Sequence, residues 1–439
     1  MRIYFGYYDA MSAFEQKRRF FRQSARAIVS LLLLQFPSTA IARDRETVLY
    51  AFGSSPDGRA PSNMIDMNGV FYGTTSFGGS GCKKSGCGTV FEIDPATGAE
   101  TVLYSFCANN RNKICKDGDV PGGLIAMKGK LYGETELGGR YRAGTVFSFD
   151  PKTRKEKIVH SFCAQNCTDG SYPDGGLTAV NGVLYGTTPF GGANGKGTIF
   201  SLDPATGEET VLYSFCSQQG CADGDLPGGG LIDVKGTLYG AAGRAGANCP
   251  NSMECGTLFA LDLGTGIETT LYSFCSQPNC ADGNEPASGL VALDGLLYGA
   301  TVTGGAYHNA GTVFAFDPVS GAETVVYSFC QTKKTVCKDG ASPGGLIAVN
   351  GKLYGTGSGG KAVVVCPEDG CGTVFEVDPA NGAETVLYAF CNRNLCKDGT
   401  VPDGLFEVKG TLFGTTSEGG HYDAHRCDFG CGTVFELRP

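Results

Sequence analysis

Three observations on this 439-residue sequence predict an all-β fold, a seven-bladed β-propeller of four-stranded antiparallel blades. A phrase close to Glu-Thr-Val-Leu-Tyr-Ser-Phe recurs seven times, and a fixed repeat of this length is typical of propellers, solenoids and other arrays. Each repeat holds four short runs rich in Val, Thr, Tyr and Phe, which predict strands. The chain opens on the phrase, whereas the last repeat stops before it. The phrases begin at Glu46, Glu100, Glu156, Glu209, Glu268, Glu323 and Glu384.

The second repeat shows the four predicted strands in order. Its first apolar run, 124–127, ends in the turn Lys128-Gly129. Other repeats have Asn-Gly or Asp-Gly there, which suits the positive φ angles of a type I′ hairpin. The second run is 131–135, and a Gly-rich loop leads to the third run, 144–150. An Asp-Pro turn then leads to the fourth strand, which is the recurring phrase itself.

The composition of the strands distinguishes a propeller from its structural rivals. Runs such as 89–93 and 101–106 are apolar at nearly every position, and strands covered on both faces lose the alternation of apolar and polar residues. A β-sandwich would leave one face of each sheet in water. A linear solenoid would need capping repeats, and the sequence has none. A closed ring removes exposed sheet edges, so we predict that the strand at 47–52 completes the last blade.

Residues 1–42 are predicted to be a secretory signal peptide cleaved after Ala42. A basic segment at 17–22 precedes an apolar stretch at 27–36, and Ala40-Ile41-Ala42 fits a small-x-small cleavage site. The apolar stretch is too short to span a membrane. Residues 43–439 are then the propeller, with its closing strand at 46–52. The predicted blades are approximately 61–106, 121–162, 173–215, 227–274, 286–329, 343–390 and 402–437 plus 46–52.

The predicted mature chain is acidic. Six of the 35 basic and two of the 44 acidic residues lie in 1–42, which leaves a formal charge of −13 after cleavage. Such a surface repels nucleic acid and anionic membranes, so we expect neither as a partner. Neutral glycans, cations and basic extracytoplasmic proteins remain as possible ligands. We expect a secreted or periplasmic monomer without a membrane span.

The 20 cysteines fall into ten close pairs, which we interpret as local disulfides because a signal peptide implies an oxidising compartment. Metal binding by thiolates is the alternative that this compartment disfavours. Loops after the second and fourth strands of a meander emerge at one end, so both classes of pair are expected on one face. Six pairs follow the phrase: Cys107/Cys115, Cys163/Cys167, Cys216/Cys221, Cys275/Cys280, Cys330/Cys337 and Cys391/Cys396. Four precede the third strand: Cys82/Cys87, Cys249/Cys255, Cys366/Cys371 and Cys427/Cys431.

An Asp-Gly-x-x-Pro motif precedes the first strand of every blade. Seven carboxylates near the innermost strands would form a ring at the mouth of the central channel, and such a ring would attract Ca²⁺. The alternative is purely structural, since Asp before Gly commonly forms an Asx-turn and Pro favours an extended approach to a strand. The aspartates are Asp57, Asp117, Asp169, Asp223, Asp282, Asp339 and Asp398.

The repeat resembles one known family. The chain has no tryptophan, which excludes WD repeats and disfavours quinoprotein and sialidase repeats. The pattern Gly-Gly-Leu-Ile-Ala, Gly-x-Leu-Tyr-Gly-Thr-Thr, Gly-Thr-Val-Phe-x-x-Asp-Pro-x-Thr-Gly and Glu-Thr-Val-Leu-Tyr-Ser-Phe is similar to the bacterial gloeo/verruco (GloVer) tandem-repeat family over residues 46–439. The resemblance implies an exported bacterial repeat protein, and it brings no biochemical role with it.

Residues that break the repeat are the candidates for chemistry. His308 lies in a Gly-rich loop of the fifth blade, and a polar cluster contains His421, Tyr422 and His425. With Cys427 and Cys431 this cluster has a spacing like that of a zinc site, but the same cysteine positions are paired in other blades, so we predict no metal and no cofactor. We therefore expect a non-catalytic scaffold that binds a glycan or protein. The alternative is an extracellular carbohydrate-active enzyme, a hydrolase or lyase, with its site at the channel mouth.

Overall fold

The computed structural model describes residues 46–53, 56–82, 86–108, 115–164, 166–249, 254–286, 289–332, 337–360, 370–422, 427 and 430–439. Their regular structure is β-strand, apart from three 3₁₀ turns at Gln219–Cys221, Pro278–Cys280 and Asn394–Cys396. The strands form seven antiparallel sheets, which confirms the seven-bladed propeller. None of the described residues forms a helix that is long and apolar enough to cross a membrane. The predicted signal peptide lies outside the described residues.

Each blade uses strands that follow one another in the chain. Blades 1 to 4 contain β2 (Gly58–Pro61), β3 (Ile65–Met67), β4 (Val70–Gly78), β5 (Thr89–Asp94), β6 (Ala99–Ser105); β7 (Asp119–Met127), β8 (Lys130–Leu137), β9 (Thr145–Asp150), β10 (Lys155–Ser161); β11 (Thr178–Val180), β12 (Val183–Thr188), β13 (Thr198–Leu202), β14 (Glu209–Ser214); β15 (Asp225–Val234), β16 (Thr237–Arg244), β17 (Thr257–Asp262) and β18 (Glu268–Ser273). Blades 5 to 7 contain β19 (Val291–Leu293), β20 (Leu296–Thr301), β21 (Thr312–Phe316), β22 (Glu323–Ser328); β23 (Ala341–Val349), β24 (Lys352–Ser358), β25 (Thr373–Asp378), β26 (Ala383–Ala389); β27 (Thr400–Val408), β28 (Thr411–Glu418) and β29 (Thr433–Leu437). In blade 1 the first strand is interrupted, and β2 and β3 both pair with β4.

The first described strand closes the ring. β1 (Glu46–Ala51) pairs antiparallel with β29, so the sheet of blade 7 has the order β1-β29-β28-β27. The ladder runs from Glu46 opposite Leu437 to Ala51 opposite Thr433, and the Phe52 N–H donates to the carbonyl of Gly432 at 3.0 Å. The predicted closure by the strand at 47–52 is therefore confirmed.

The hydrophobic core lies between the blades rather than in one central mass. One cluster joins Phe106 and Val90 of blade 1 to Leu131 and Phe147 of blade 2, and all four side chains are buried. Equivalent clusters repeat around the ring, including one in which Phe52 packs with residues of blades 7 and 1. Each sheet is thus covered on both faces, which explains the nearly continuous apolar runs.

The first strands extend further than their apolar runs predicted. β7 begins at Asp119, five residues before Leu124, and its pairing with β8 shifts register between Pro121 and Leu124. The two glycines between them belong to this irregular segment. At the corresponding segment of blade 5, a Cβ on Gly289 would collide with the carbonyl oxygen of Gly229 in blade 4. Glycine at position 289 therefore lets the segment before β19 approach the first strand of blade 4 closely.

A β-bulge interrupts every copy of the recurring phrase. In blade 1, Phe91 lies opposite Val102 and Val90 lies opposite Tyr104, so Leu103 is the extra residue. The same shift occurs in the other six outermost strands. Residues four apart in a regular strand share a face, and one inserted residue reverses the face of those that follow. The bulge therefore turns the Glu and the Tyr of each phrase toward opposite neighbouring blades.

Removal of β1 should destabilise the whole ring. A chain that begins at residue 54 lacks both the ladder to β29 and the fully buried ring of Phe52, and loss of one buried Phe side chain alone costs about 3–5 kcal/mol. We expect its free energy of unfolding, measured in urea, to fall by at least that amount. A chain that begins at residue 43 is the control and should keep full stability. Equal stability of the two chains would contradict closure by β1.

Candidate functional site

The loops after the second and fourth strands share one face of the propeller. In blade 2, the amide of Arg140 in the first of these loops donates to Oγ of Ser161, the last residue of the strand that leads into the second loop. We call this surface the stapled face, because disulfides close most of its loops. Such disulfides are consistent with an oxidising environment.

Nine of the ten predicted disulfides join described residues of the stapled face. For the tenth, Cys366 lies outside the described residues, so its pairing with Cys371 stays a prediction. The nine are Cys82–Cys87, Cys107–Cys115, Cys163–Cys167, Cys216–Cys221, Cys249–Cys255, Cys275–Cys280, Cys330–Cys337, Cys391–Cys396 and Cys427–Cys431.

The second cysteine of a pair after an outermost strand has a contact that the sequence did not predict. The Cys167 carbonyl accepts the Gly192 N–H at 2.8 Å, and the Cys337 carbonyl accepts the Gly360 N–H at 2.7 Å. Each glycine lies in the loop between the second and third strands of the following blade, Gly192 in blade 3 and Gly360 in blade 6. The sequence predicted only a disulfide at Cys167 and Cys337. In the structure, the backbone of these partly exposed residues also joins the loop after one blade's outermost strand to a loop of the next blade.

The seven aspartates of the Asp-Gly-x-x-Pro motif hold the loops of the stapled face to the outermost strands. In blade 1, the Tyr104 hydroxyl donates to Asp117 at 2.8 Å, and the Cys107 N–H donates to the same oxygen at 2.8 Å. Five other aspartates accept a tyrosine hydroxyl in the same way: Asp57 from Tyr50, Asp223 from Tyr213, Asp282 from Tyr272, Asp339 from Tyr327 and Asp398 from Tyr388, at 2.8–2.9 Å. These contacts are structural, but they join the aspartates to the preceding outermost strand and are not the Asx-turn that the sequence suggested. Ca²⁺ binding by a ring of aspartates stays a prediction.

The glutamate that begins each phrase reaches the same tyrosine from the next blade. Glu156 Oε2 of blade 2 lies 3.4 Å from the Tyr104 hydroxyl, and Glu323 of blade 5 lies 3.3 Å from that of Tyr272. This contact follows from the bulge, because Glu faces the preceding blade while Tyr faces the following one. We call the Tyr and Asp of one blade with the Glu of the next an inter-blade link.

The single hydroxyl proton of the tyrosine cannot form hydrogen bonds to both carboxyl groups of an inter-blade link. The tyrosine hydroxyl carries one proton, which it donates to the aspartate. The glutamate therefore satisfies the tyrosine oxygen only when its own carboxyl is protonated. Burial is the largest cause that raises the pKa of these glutamates, to about 8 for Glu100 and about 7 for Glu46, Glu156, Glu209, Glu268, Glu323 and Glu384. In most links the negative charge of the facing aspartate raises the pKa of the glutamate further.

Two links differ from the others. Between blades 2 and 3, His160 replaces the tyrosine and its Nε2 lies 3.3 Å from Asp169. At the closing blade, the Arg393 guanidinium lies 2.7 Å from Glu46 Oε2 and donates to the Glu46 carbonyl at 2.9 Å. Arg393 thus holds both the side chain and the backbone of Glu46, at the point where the closing strand is not continuous with the rest of its blade.

A group of carboxyl groups breaks the sevenfold repetition near the first strands. Glu134 of β8 stands where other blades have Thr74, Thr187, Thr356 or Thr415. Thr74 donates to the carbonyl of Gly122 in the next blade at 2.6 Å, whereas Glu134 Oε2 accepts the Gly176 N–H of blade 3 at 2.9 Å. Glu134 is only 2% exposed, and its Oε1 has no hydrogen-bond partner.

Two further carboxyl groups accompany Glu134. Glu136 lies two residues along β8, and Asp174 lies two residues before Gly176. Burial and then the charge of Asp174 raise the pKa of Glu134 to about 8 and that of Glu136 to about 7. Glu134 and Glu136 lie in the second half of β8, which leads to the stapled face, and Asp174 lies in the segment before β11. The group therefore offers the carboxyl of Glu134, protonated at neutral pH, beside the exposed carboxylate of Asp174.

The histidine candidates are not brought together. His308 is exposed in a loop of blade 5, whereas His421 and Tyr422 are exposed in a loop of blade 7. His425 lies outside the described residues. Cys427 and Cys431 form a disulfide, so their thiols are not available to a zinc ion. Among the described residues, the groups of three or more side chains spaced to hold a metal ion consist of cysteines alone.

Exposed aromatic side chains also mark the stapled face. Tyr141, Tyr307 and Tyr422 are 40%, 42% and 39% exposed and lie in the loops between the second and third strands of blades 2, 5 and 7. The Arg140 guanidinium lies 5.5 Å from the centre of the Tyr141 ring. The exposed apolar residues of the opposite face are Ile267 and Val319, in the turns after third strands. Sequence reasoning about histidines missed Tyr141, Tyr307 and Glu134, although each departs visibly from the repeat.

Replacement of a link glutamate by its amide should change how stability depends on pH. The folded-state pKa of Glu156 is about 7, above its ordinary value of 4.5, so its stabilising contribution is complete below the ordinary value and is lost as pH rises through about 7. Glu156→Gln keeps a donor toward Tyr104 at every pH. We expect unfolding in urea to show a gain of about 1 kcal/mol at pH 9 and almost none at pH 5. The control Glu208→Gln, at an exposed position, should change the free energy of unfolding at neither pH. An equal effect of Glu156→Gln at both pH values would contradict the link.

Comparison with known proteins identifies the repeat. The Gloeobacter/Verrucomicrobia repeat matches residues 38–250, 121–364 and 222–435. No curated protein matches the chain significantly.

Three solved structures illustrate the likeness of the fold. The computationally designed protein Ika8 is 12% identical, with 89% of this chain and 99% of that chain covered and a TM-score of 0.45. A chain of a nidogen/laminin complex is 12% identical, with 68% and 89% covered and a TM-score of 0.40. An oligogalacturonate lyase in complex with manganese is 11% identical, with 91% and 94% covered and a TM-score of 0.49. Likeness at this level carries no argument about function. The three matched ranges of the repeat span most of the chain, which therefore belongs to the Gloeobacter/Verrucomicrobia repeat family.

Proposed function

We propose that this protein is an exported scaffold, secreted or periplasmic, that binds a glycan or an extracytoplasmic protein through the stapled face. The exposed tyrosines Tyr141, Tyr307 and Tyr422 carry the proposal. A tyrosine ring offers a large apolar surface with a polar tip and loses little conformational freedom on binding, which is why such rings are frequent at binding surfaces.

The loops that neighbour the tyrosine-bearing loops on the stapled face are restrained before any ligand arrives. Disulfides close six of the loops that follow outermost strands, and aspartates hold the same loops to those strands by hydrogen bonds to backbone N–H groups. Restraint of a loop in one conformation lowers the entropy that binding must overcome. The opposite face has tight turns instead. The asymmetry of the two faces therefore favours the stapled face as the binding surface.

Alanine substitutions on the two faces test the binding surface. Purified protein is applied to an array of neutral and basic glycans and to extracts of extracytoplasmic proteins, and the affinity for each bound ligand is measured by calorimetry. Tyr141→Ala or Tyr307→Ala should weaken binding at least about tenfold, since a buried aromatic anchor contributes about 2 kcal/mol or more. The matched controls Ile267→Ala and Val319→Ala on the opposite face should leave it unchanged. Equal losses from both faces would overturn the proposal.

A carbohydrate-active hydrolase or lyase is the second candidate function, and Glu134 is the observation that favours it. A buried carboxyl that stays protonated at neutral pH serves as a general acid in glycoside hydrolysis, with a second carboxylate as its partner. Glu136 and Asp174 lie near Glu134 and are the candidates for that partner.

Turnover distinguishes the two functions. Protein incubated with a panel of polysaccharides should release no reducing ends and no unsaturated products if it is a scaffold. Release of products, and its loss by at least about a hundredfold in Glu134→Gln, would replace the scaffold with the enzyme. Glu134→Thr restores the residue found in other blades and serves as the variant that keeps the fold if the amide does not.

A further inference from the structure

Blade 1 brings four sulfur atoms together. The disulfide Cys82–Cys87 lies in the loop between β4 and β5, and Cys107–Cys115 lies in the loop after β6. Cys115 Sγ is 3.6 Å from Cys82 Sγ and 3.5 Å from Cys87 Sγ. All four Sγ atoms lie within 4.8 Å of one another. Two disulfides from separate loops therefore form one compact cluster.

The spacing of this cluster suits a tetrahedral metal ion. A zinc ion with four thiolate ligands at about 2.3 Å places its sulfur atoms roughly 3.8 Å apart. The separations of Cys115 Sγ from Cys82 Sγ and Cys87 Sγ are already close to that value, and the bonded atoms within each pair need to move apart. Cys87 and Cys107 are buried while Cys82 and Cys115 are partly exposed, so an ion can reach the cluster from solvent.

Blade 4 provides an internal comparison. It has two disulfides in the corresponding two loops, Cys249–Cys255 and Cys275–Cys280. Among the described residues, however, these sulfur atoms do not form a group of three or more within 4.8 Å of one another.

We propose that Cys82, Cys87, Cys107 and Cys115 form a zinc site when their disulfides are reduced by a phosphine or a dithiol. Each disulfide takes up two electrons and two protons to give two thiols. A phosphine becomes a phosphine oxide, with the oxygen and both protons supplied by one water molecule, whereas a dithiol supplies its own two protons and becomes a disulfide. Binding of one Zn²⁺ then releases four protons, because only thiolates bind the ion. The site is independent of the glycan- or protein-binding role.

Protection from alkylation tests the site in the unmodified protein. The oxidised protein is reduced with a phosphine, which does not compete for zinc, and is treated with iodoacetamide with and without one equivalent of Zn²⁺. Mass spectrometry then gives the rate at each cysteine. We expect zinc to slow alkylation of Cys82, Cys87, Cys107 and Cys115 at least about tenfold, and to leave Cys249, Cys255, Cys275 and Cys280 unchanged. Equal rates with and without zinc in blade 1, including the uniform rates of a protein that unfolds on reduction, would overturn the proposal.

Paired variants provide the second measurement. The zinc that stays with the reduced protein after gel filtration should fall by one equivalent in Cys82→Ser with Cys87→Ser. The matched control, Cys249→Ser with Cys255→Ser, should retain it. A fall of the same size in both variants would show that zinc binds reduced thiols without preference, and the assignment to blade 1 would be wrong.

Discussion

The inter-blade link depends on one inserted residue. Without the bulge at Leu103 and its equivalents, the Glu and Tyr of each phrase would face the same blade, and no carboxyl group would meet the tyrosine from the other side. With the bulge, every outermost strand contacts both of its neighbours through polar groups while the apolar residues fill the space between the sheets. The loops that carry the disulfides are attached to the same tyrosines through aspartate, so the shape of the stapled face depends on this contact as well.

The sequence predicted those parts of the fold that repeat within one unit. Strand runs, Asn-Gly turns and the pairing of β1 with β29 all follow from local residue types and from the place where the repeat is interrupted. The residues that the recurring phrase contacts in the neighbouring blade could not be predicted from the sequence. Tyr104 and Asp117 recur together in most repeats, but Glu156 belongs to the next unit, and identical repeats conceal which unit a residue contacts. The bulge has no residue signature, because Leu, Val and Tyr suit a regular strand equally well.

The backbone contacts of the stapled face were equally hidden from the sequence. Cys167 and Cys337 were identified by their side chains, as halves of disulfides, whereas their carbonyls bond to a glycine of the neighbouring loop. Every residue type has a carbonyl, so no residue pattern marks such a contact.

The candidate site was harder to predict because burial decides its chemistry. Glu134 differs visibly from the threonine of other repeats, yet only the packing of blade 2 against blade 3 shows that its carboxyl is buried with an unpartnered oxygen. His308 and His421 attracted attention as rare residue types, and the ring places them on loops of separate blades. A rare residue type can be recognised in the sequence. Which of these residues lie close together depends on the blade and loop that each occupies.

The opposite directions of Glu and Tyr make the blades polar units that associate head to tail. Each blade presents a tyrosine, or His160 in blade 2, with its aspartate to one neighbour and a glutamate to the other. This is the arrangement of a heterologous interface in a cyclic oligomer. In such an arrangement the same contact is used at every boundary, and the peptide connections between blades are secondary to it. The propeller is in this sense a seven-membered cyclic assembly whose subunits happen to be linked, and Arg393 reinforces the one boundary where a strand joins its sheet from the far end of the chain.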